Sequence, residues 1–103
     1  MRRDVFQAIA DPTRRSILGM VAFGAKTTID LSVHFDISRQ AVSRHIKILV
    51  ECNLLKQKQA GRKTFYQYNP KKLKEVDQWI YPFRKTWEPR FEQLEIVLKN
   101  LKN

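Results

Sequence analysis

Four polar side chains carry the clearest chemistry in this sequence, at spacings of three, one and three residues: Gln40, Ser43, Arg44 and Lys47. At about 100° per residue, an α-helix gathers all four on one face. Arginine can donate paired hydrogen bonds to guanine, glutamine can pair similarly with adenine, and serine or lysine suits phosphates or bases. The pattern therefore predicts a helix that reads base pairs in the major groove of DNA. Taken alone, it also fits an ordinary solvated helix face.

The neighbouring residues predict the helix that would present this face. Ser38 is a favoured N-cap, and Asn53 can end the helix because asparagine tolerates a positive φ. We expect the outward face to be polar and the opposite side to enter the core. That opposite side consists of Val42, Ile46, Leu49 and Val50.

Three residues extend the predicted DNA contacts beyond the four. Ser38 and Arg39 lie at the helix N-terminus, where backbone N–H groups and the helix dipole favour a phosphate. His45, next to Arg44, fits either a phosphate contact or a partly buried, hydrogen-bonded structural role.

Positive charge is concentrated in the same part of the chain. Over 103 residues, 20 Lys and Arg against 10 Asp and Glu give a net charge of +10, which favours a polyanionic partner. Residues 38–69 hold seven basic residues and one acidic residue, a net +6. Lys58, Arg62 and Lys63 surround a predicted hairpin turn in this stretch. They would bind the DNA backbone or minor groove, or else only protect an edge strand from aggregation.

Composition excludes several classes of protein. With 43% hydrophobic residues the chain is too apolar for a disordered basic tail. It lacks both the run of about 20 apolar residues that a membrane span needs and a recognisable secretory signal, so we expect a cytoplasmic protein with no membrane partner. Because Cys52 is the single cysteine, the sequence excludes an intrachain disulfide. We expect Cys52 to pack in the core rather than to sense redox state. No catalytic constellation indicates an enzyme.

Three helices are predicted before the DNA-reading helix. The first contains Val5, Phe6 and Ile9. Asp11 and Pro12 should start the second as N-cap and first residue, and Gly24 should end it.

The third helix should begin at Thr27, since Asp30 follows three residues later as in a capping box. We expect it to bury Leu31 and Phe35 and to end near Asp36. Residues 36–38 then form the short turn that a helix-turn-helix requires.

Beyond the fourth helix, residues 54–58 and 64–68 predict two strands around a turn at residues 60–62. A helical stripe of apolar residues follows, interrupted by Pro82 and Pro89, near one of which we expect a kink or a break. The stripe consists of Val76, Ile80, Phe83, Trp87, Phe91, Leu94, Leu98 and Leu101.

The predicted order α-α-α-α-β-β-α is that of a winged helix-turn-helix: mainly α, with a small β-hairpin and a long, Pro-interrupted last helix. We expect residues 1–103 to form a single domain. The helix-turn-helix would span about 28–52, the wing about 54–69 and the last helix about 70–101.

Three segments also resemble the ArsR-type family of bacterial winged-helix repressors. They are residues 6–18 (FQAIADPTRRSIL), 37–49 (ISRQAVSRHIKIL) and 61–68 (GRKTFYQY), and the tail around Trp79, Phe83 and Trp87 extends the similarity. The resemblance implies a homodimer that binds a roughly palindromic operator and represses transcription. It also implies that the first and last helices form the subunit interface, in agreement with the apolar stripe. The implied interface residues are Phe6, Ile80, Phe83, Trp87, Phe91, Leu94 and Leu98.

The resemblance does not extend to the family's metal sites. Metal-sensing members carry Glu-Leu-Cys-x-Cys-Asp-Leu before the third helix, whereas residues 25–31 read AKTTIDL, with Thr27 and Ile29 at the cysteine positions. The family's alternative metal site uses Asp and His ligands in the last helix, and no histidine follows His45. Thr and Ile do not replace thiolate or imidazole ligands. We therefore expect no metal site and no cofactor, while an effector ligand stays open.

Two rival functions and one rival site follow from the same residues. A basic RNA-binding or ribosome-associated module would need exposed aromatic residues among the basic ones, and only Phe65, Tyr66 and Tyr68 are near. An interaction module without DNA binding would favour a neutral or acidic fourth helix. Trp79 and its aromatic neighbours could line an effector pocket, although aromatic residues at helical spacing usually pack, here in a dimer core.

Overall fold

The elements of the computed structural model follow the predicted order along the chain. The structure describes residues 4–87 and 97–101. Its elements are α1 (Val5–Ala8), α2 (Pro12–Val21), α3 (Thr28–Ser32), α4 (Arg39–Glu51), β1 (Leu55–Ala60), β2 (Lys63–Tyr68) and α5 (Leu73–Trp87). Residues 97–101 are also helical. No helix in these ranges is long and apolar enough to cross a membrane.

The predicted helix starts are confirmed because short side chains cap them. The Arg14 N–H donates to Asp11 Oδ2 at 3.0 Å, and Pro12 begins α2. In α3 the capping box is complete, with Asp30 N–H donating to Thr27 Oγ1 at 3.1 Å and Thr27 N–H donating to Asp30 Oδ2 at 3.0 Å. Ser38 Oγ accepts from the Ala41 N–H at 3.1 Å and begins α4. Each cap satisfies backbone donors that the first helical turn leaves without intrahelical partners.

Two predicted helix ends are wrong by several residues. α2 ends at Val21 rather than at Gly24, because the N–H groups of Phe23 and Gly24 donate to carbonyls three residues back instead of four, at 3.4 and 3.0 Å. Gly24 adopts φ +151, a conformation that suits glycine, and its N–H donates to the Val21 carbonyl at 3.0 Å. α3 ends at Ser32 rather than near Asp36, although Leu31 is buried as predicted. The fourth helix ends as expected, with Asn53 at φ 61.

The core lies between α2, α3, α4 and the start of the hairpin. Val42, Ile46 and Leu49 of α4 are all at most 2% exposed and form its inner side, which confirms the predicted separation of faces. Among the described residues, the other fully enclosed large ones are Ile17, Leu31, Leu54 and Leu55. Cys52 is also buried in this core, as expected.

A single β-bridge joins the hairpin to the loop between α2 and α3. β1 and β2 pair antiparallel from Leu55 with Tyr68 to Ala60 with Lys63, which leaves a two-residue loop. Gly61 begins that loop at φ 62, where a type II′ turn places glycine. Lys26 and Tyr66 exchange backbone hydrogen bonds of 3.1 and 2.8 Å, so the loop before α3 is fixed to β2, on the edge opposite β1.

The last helix continues through one of its two prolines. α5 contains Pro82 in its interior, although proline has no N–H and the helix forgoes the usual hydrogen bond to the Gln78 carbonyl. A break at Pro82 is therefore not found. Pro89, Phe91 and Leu94 lie outside the described residues.

Replacing Asp11 with alanine should lower the free energy of unfolding by about 1 kcal/mol, because α2 loses its N-cap. The pKa of Asp11 is lowered chiefly by the backbone hydrogen bond from Arg14, with a smaller contribution from the charge of the Arg14 side chain. Its folded pKa is therefore below its unfolded value, so the stabilisation is present above the unfolded pKa. It is lost as the pH falls through the folded pKa.

Urea denaturation at pH 7 and pH 3 measures both effects of Asp11. D11N serves as the control because asparagine keeps an accepting oxygen and should cost less than D11A at pH 7. Equal losses in the two variants, or a D11A deficit that does not shrink at pH 3, would contradict the assignment.

Candidate nucleic-acid interface

The outward face of α4 is exposed and available for a ligand. Gln40, Ser43, Arg44 and Lys47 all lie on the exposed side of the helix, opposite its buried residues. In residues 4–87 and 97–101, no hydrogen bond or ion pair engages the side chains of Gln40, Arg44 or Lys47. A face with two cations and an amide held on a rigid helix, none of them neutralised internally, suits contact with an anionic partner.

The N-terminal end of α4 brings two more predicted residues next to this face. The Ser38 hydroxyl caps the helix, and Arg39 is exposed as its first residue. Backbone N–H groups of a first helical turn, together with an adjacent guanidinium, favour a phosphate at this end.

His45 is turned away from the other predicted contacts, toward α2. Its Nδ1 lies 3.2 Å from Arg14 Nη1 and 3.9 Å from Asp11 Oδ2, and its side chain is only 22% exposed. This geometry matches the structural role that the sequence left open for His45. A contact of His45 with DNA stays a prediction.

The wing presents a second group of cations. Lys58 lies on β1, and Arg62 and Lys63 lie at or beside the hairpin loop; all three are exposed. The loop is held by Gln59, whose Nε2 donates to the Gly61 carbonyl at 3.3 Å and whose Oε1 accepts from Thr64 Oγ1 at 2.7 Å.

The sequence reasoning missed Lys56 as a site residue. It is exposed and stands two residues before Lys58 on β1, so both side chains project from the same face of the hairpin. The alternation of side chains along the strand is the signal that could have found it.

A cleft of about 320 Å³ joins the wing loop to the beginning of α3, which the sequence treated as separate features. It is lined by Thr27, Thr28, Ile29, Asp30, Arg62, Lys63 and Thr64. The pKa of Asp30 is lowered, chiefly by the Thr27 backbone hydrogen bond, then by the Thr27 hydroxyl and weakly by Lys26 and Lys63. Thr27 and Ile29 stand where the resemblance would place cysteines. Thr27 caps α3 with its hydroxyl and Ile29 is exposed, so neither supplies a thiolate ligand.

Aromatic side chains form an exposed surface on α1 and α5. Phe6 meets Trp79 edge-on at 5.7 Å between ring centroids, and Trp79 lies 5.2 Å from Phe83. Trp79 and Trp87 are 58% and 54% exposed, and an exposed group of neighbouring apolar rings is typical of an interaction surface. We call Phe6, Trp79, Phe83 and Trp87 the α1/α5 aromatic surface.

Of the other residues predicted at the subunit interface, two lie in the described part of the chain. Ile80 is half-buried on α5, and Leu98 is exposed in the helical segment 97–101. The predictions for Phe91 and Leu94 lie outside the described residues.

Comparison with known proteins gives consistent matches. Residues 11–57 match the bacterial regulatory protein family arsR. The chain is 35% identical over 80 residues to the transcriptional repressor SdpR of Bacillus subtilis (strain 168), a match that covers 78% of this chain and 89% of that repressor. It is 32% identical over 74 residues to the arsenical resistance operon repressor of Staphylococcus xylosus, covering 72% of this chain and 71% of the relative.

Solved structures match over most of their length as well. The crystal structure of an ArsR family transcriptional regulator has 30% sequence identity and a TM-score of 0.69, covering 82% of this chain and 87% of its own. An ArsR-like transcriptional regulator from Rhodococcus sp. RHA1 has 25% identity and a TM-score of 0.67, covering 90% of this chain and 88% of its own. These matches confirm the predicted winged helix-turn-helix fold. The matched proteins are transcriptional regulators rather than enzymes.

Proposed function

Because the chain belongs to the ArsR family and is a DNA-binding transcriptional repressor, we propose that it acts as a homodimer on a roughly palindromic operator. The observation that carries the proposal is the exposed face of α4, which bears Gln40, Arg44 and Lys47 with no internal partner among the described residues. In the bound state, each α4 would lie in a major groove, with half-sites about one helical turn apart.

The proposed contacts divide into reading and positioning. Arg44 would pair with guanine and Gln40 with adenine, while Ser43, Lys47 and Arg39 would bind phosphates or further bases. Ser38 would hold the helix N-terminus toward a phosphate, and the wing cations Lys58, Arg62 and Lys63 would add affinity largely independent of sequence. His45 would also be a positioning residue, with a phosphate contact from the edge of the helix.

The α1/α5 aromatic surface supports the proposed homodimer. Its large exposed rings, Trp79, Phe83 and Trp87, stand on one helix beside Phe6. A second copy related by a two-fold axis would bury the same patch on both chains. Such an arrangement covers apolar area that a monomer leaves in water.

The RNA-binding alternative finds no comparable support. Recognition of single-stranded RNA relies on exposed aromatic faces on which bases stack. Phe65, Tyr66 and Tyr68 are all half-buried, and the two tyrosines pack against the core.

Selection of bound duplexes from a random DNA library tests the proposal. The proposal predicts enrichment of two inverted copies of one short sequence, with centres about 10 base pairs apart. Recovery of a single half-site would contradict the homodimer, and the absence of any enriched sequence would contradict sequence-specific reading.

Replacing Lys63 with alanine should flatten the salt dependence of DNA binding. Removal of one phosphate contact per subunit should reduce the slope of log affinity against log salt by about one per contact, with little change in base preference. The slope can be measured by fluorescence anisotropy across a salt series. Lys74→Ala removes another exposed lysine, on α5, and serves as the control. A slope unchanged by the Lys63 substitution would contradict the wing contact.

A further inference from the structure

One guanidinium on α2 joins the beginning of the chain to the DNA-reading helix. Arg14 Nε donates to the Ala8 carbonyl at 2.6 Å, and Nη2 donates to the Gln7 carbonyl at 3.1 Å. Its third nitrogen, Nη1, lies 3.2 Å from His45 Nδ1. Arginine is suited to this position because its rigid planar fork carries donors on all three nitrogens, whereas lysine has one mobile ammonium.

The contact with His45 has a defined direction. A guanidinium has no acceptor, so Arg14 must donate and His45 Nδ1 must carry the lone pair. In the neutral imidazole, this contact leaves the ring proton on Nε2. The two residues are 31 positions apart in sequence, so this bond fixes α4 against α2 across the fold.

The other end of the connection reaches the α1/α5 aromatic surface. Gln7 and Ala8 belong to α1, whose Phe6 packs edge-on against Trp79 of α5. A continuous path of contacts therefore runs from Trp79 through Phe6 and Arg14 to His45.

We propose that Arg14 is a positioning residue that fixes α4 relative to the α1/α5 aromatic surface and thereby sets the half-site spacing that the dimer accepts. This inference rests on the proposed homodimer. Two reading helices project from one shared interface, so a small rotation of each α4 against that interface changes the distance between them. Arg14 resists this rotation because it holds α1 and α4 with one rigid group.

Arg15 provides a matched control on the same helix. Its Nη1 donates to the Ile9 carbonyl at 2.7 Å, so it also binds the chain at the end of α1. Among the described hydrogen bonds and ion pairs, none links Arg15 to α4. Conversion of either arginine to lysine keeps the charge and removes the fork.

The test compares binding to a series of duplexes that carry two copies of the selected half-site with the spacer shortened or lengthened by two base pairs. The variants are R14K, H45F, the double variant and R15K. We expect the wild type to prefer its best spacing by about tenfold, and R14K and H45F each to reduce this preference to about threefold or less. The double variant should lose no more than R14K alone, because R14K already removes the contact between Arg14 and His45.

Spacing preference separates positioning from other roles of these residues. A lost phosphate contact would weaken every duplex alike and leave the preference intact, and H45F tests the connection independently if R14K does not fold. If R14K and H45F keep the wild-type spacing preference, the role of Arg14 is overturned while the homodimer proposal stands. An equal loss of spacing preference in R15K would have the same consequence. A wild type with no spacing preference would overturn the homodimer proposal and the inference together.

Discussion

Arg44→Ala is expected to weaken binding to the selected operator by roughly 1–3 kcal/mol and to relax the base preference at one position of each half-site. The physical reason is that a guanidinium can pair with two acceptors of guanine at once, a match that alanine cannot replace. The structure leaves the Arg44 side chain exposed on α4, so its removal disturbs no core contact.

Affinities of the Arg44 variant should be measured on the selected duplex and on duplexes with each base pair changed in turn. Lys58→Ala provides the contrast, since the loss of a wing cation should lower the affinity for all of these duplexes by similar factors. Unchanged affinity and selectivity in the Arg44 variant would contradict its role as a base reader.

Phe83→Asp is expected to dissociate the proposed homodimer. Burial of one phenylalanine side chain contributes about 1.5–3 kcal/mol, and a two-fold interface loses two of them at once. The substitution also places two carboxylates of like charge in an apolar contact. The dimer dissociation constant should therefore rise by at least about 100-fold.

Sedimentation equilibrium measures this change directly. Phe23→Asp is the matched control, because Phe23 is the most exposed large apolar residue described and lies in the loop after α2, outside the α1/α5 aromatic surface. The control should sediment as the wild type does. A Phe83 variant with an unchanged dissociation constant would contradict the proposed interface.

Features that depend on neighbouring residues were predictable from sequence. Asp11, Thr27 and Ser38 each cap a helix because a short side chain reaches an N–H three residues on, a relation that is local. The two sides of α4 follow from the helical period in the same way. Gly61 begins the hairpin loop because the turn requires a positive φ that glycine adopts without strain.

Features that depend on distant residues were not predictable. The contact between Arg14 and His45, the bridge between Lys26 and Tyr66 and the cleft between α3 and the wing all join segments far apart in sequence. The end of α2 was also misplaced, because the residue at which a helix stops depends on the hydrogen bonds that the next residues make. The N–H groups of Phe23 and Gly24 donate three residues back rather than four, and the spacing of apolar residues does not predict this change.

The difference in affinity between specific and nonspecific nucleic acid tests the central claim most directly. Fluorescence anisotropy titrations should compare the selected duplex with a shuffled duplex of the same composition and with an RNA duplex of the selected sequence, at one fixed salt concentration. The account predicts that the selected DNA duplex binds at least about 1,000-fold more tightly than either competitor. Equal affinity for the shuffled duplex, or tighter binding of the RNA, would contradict it.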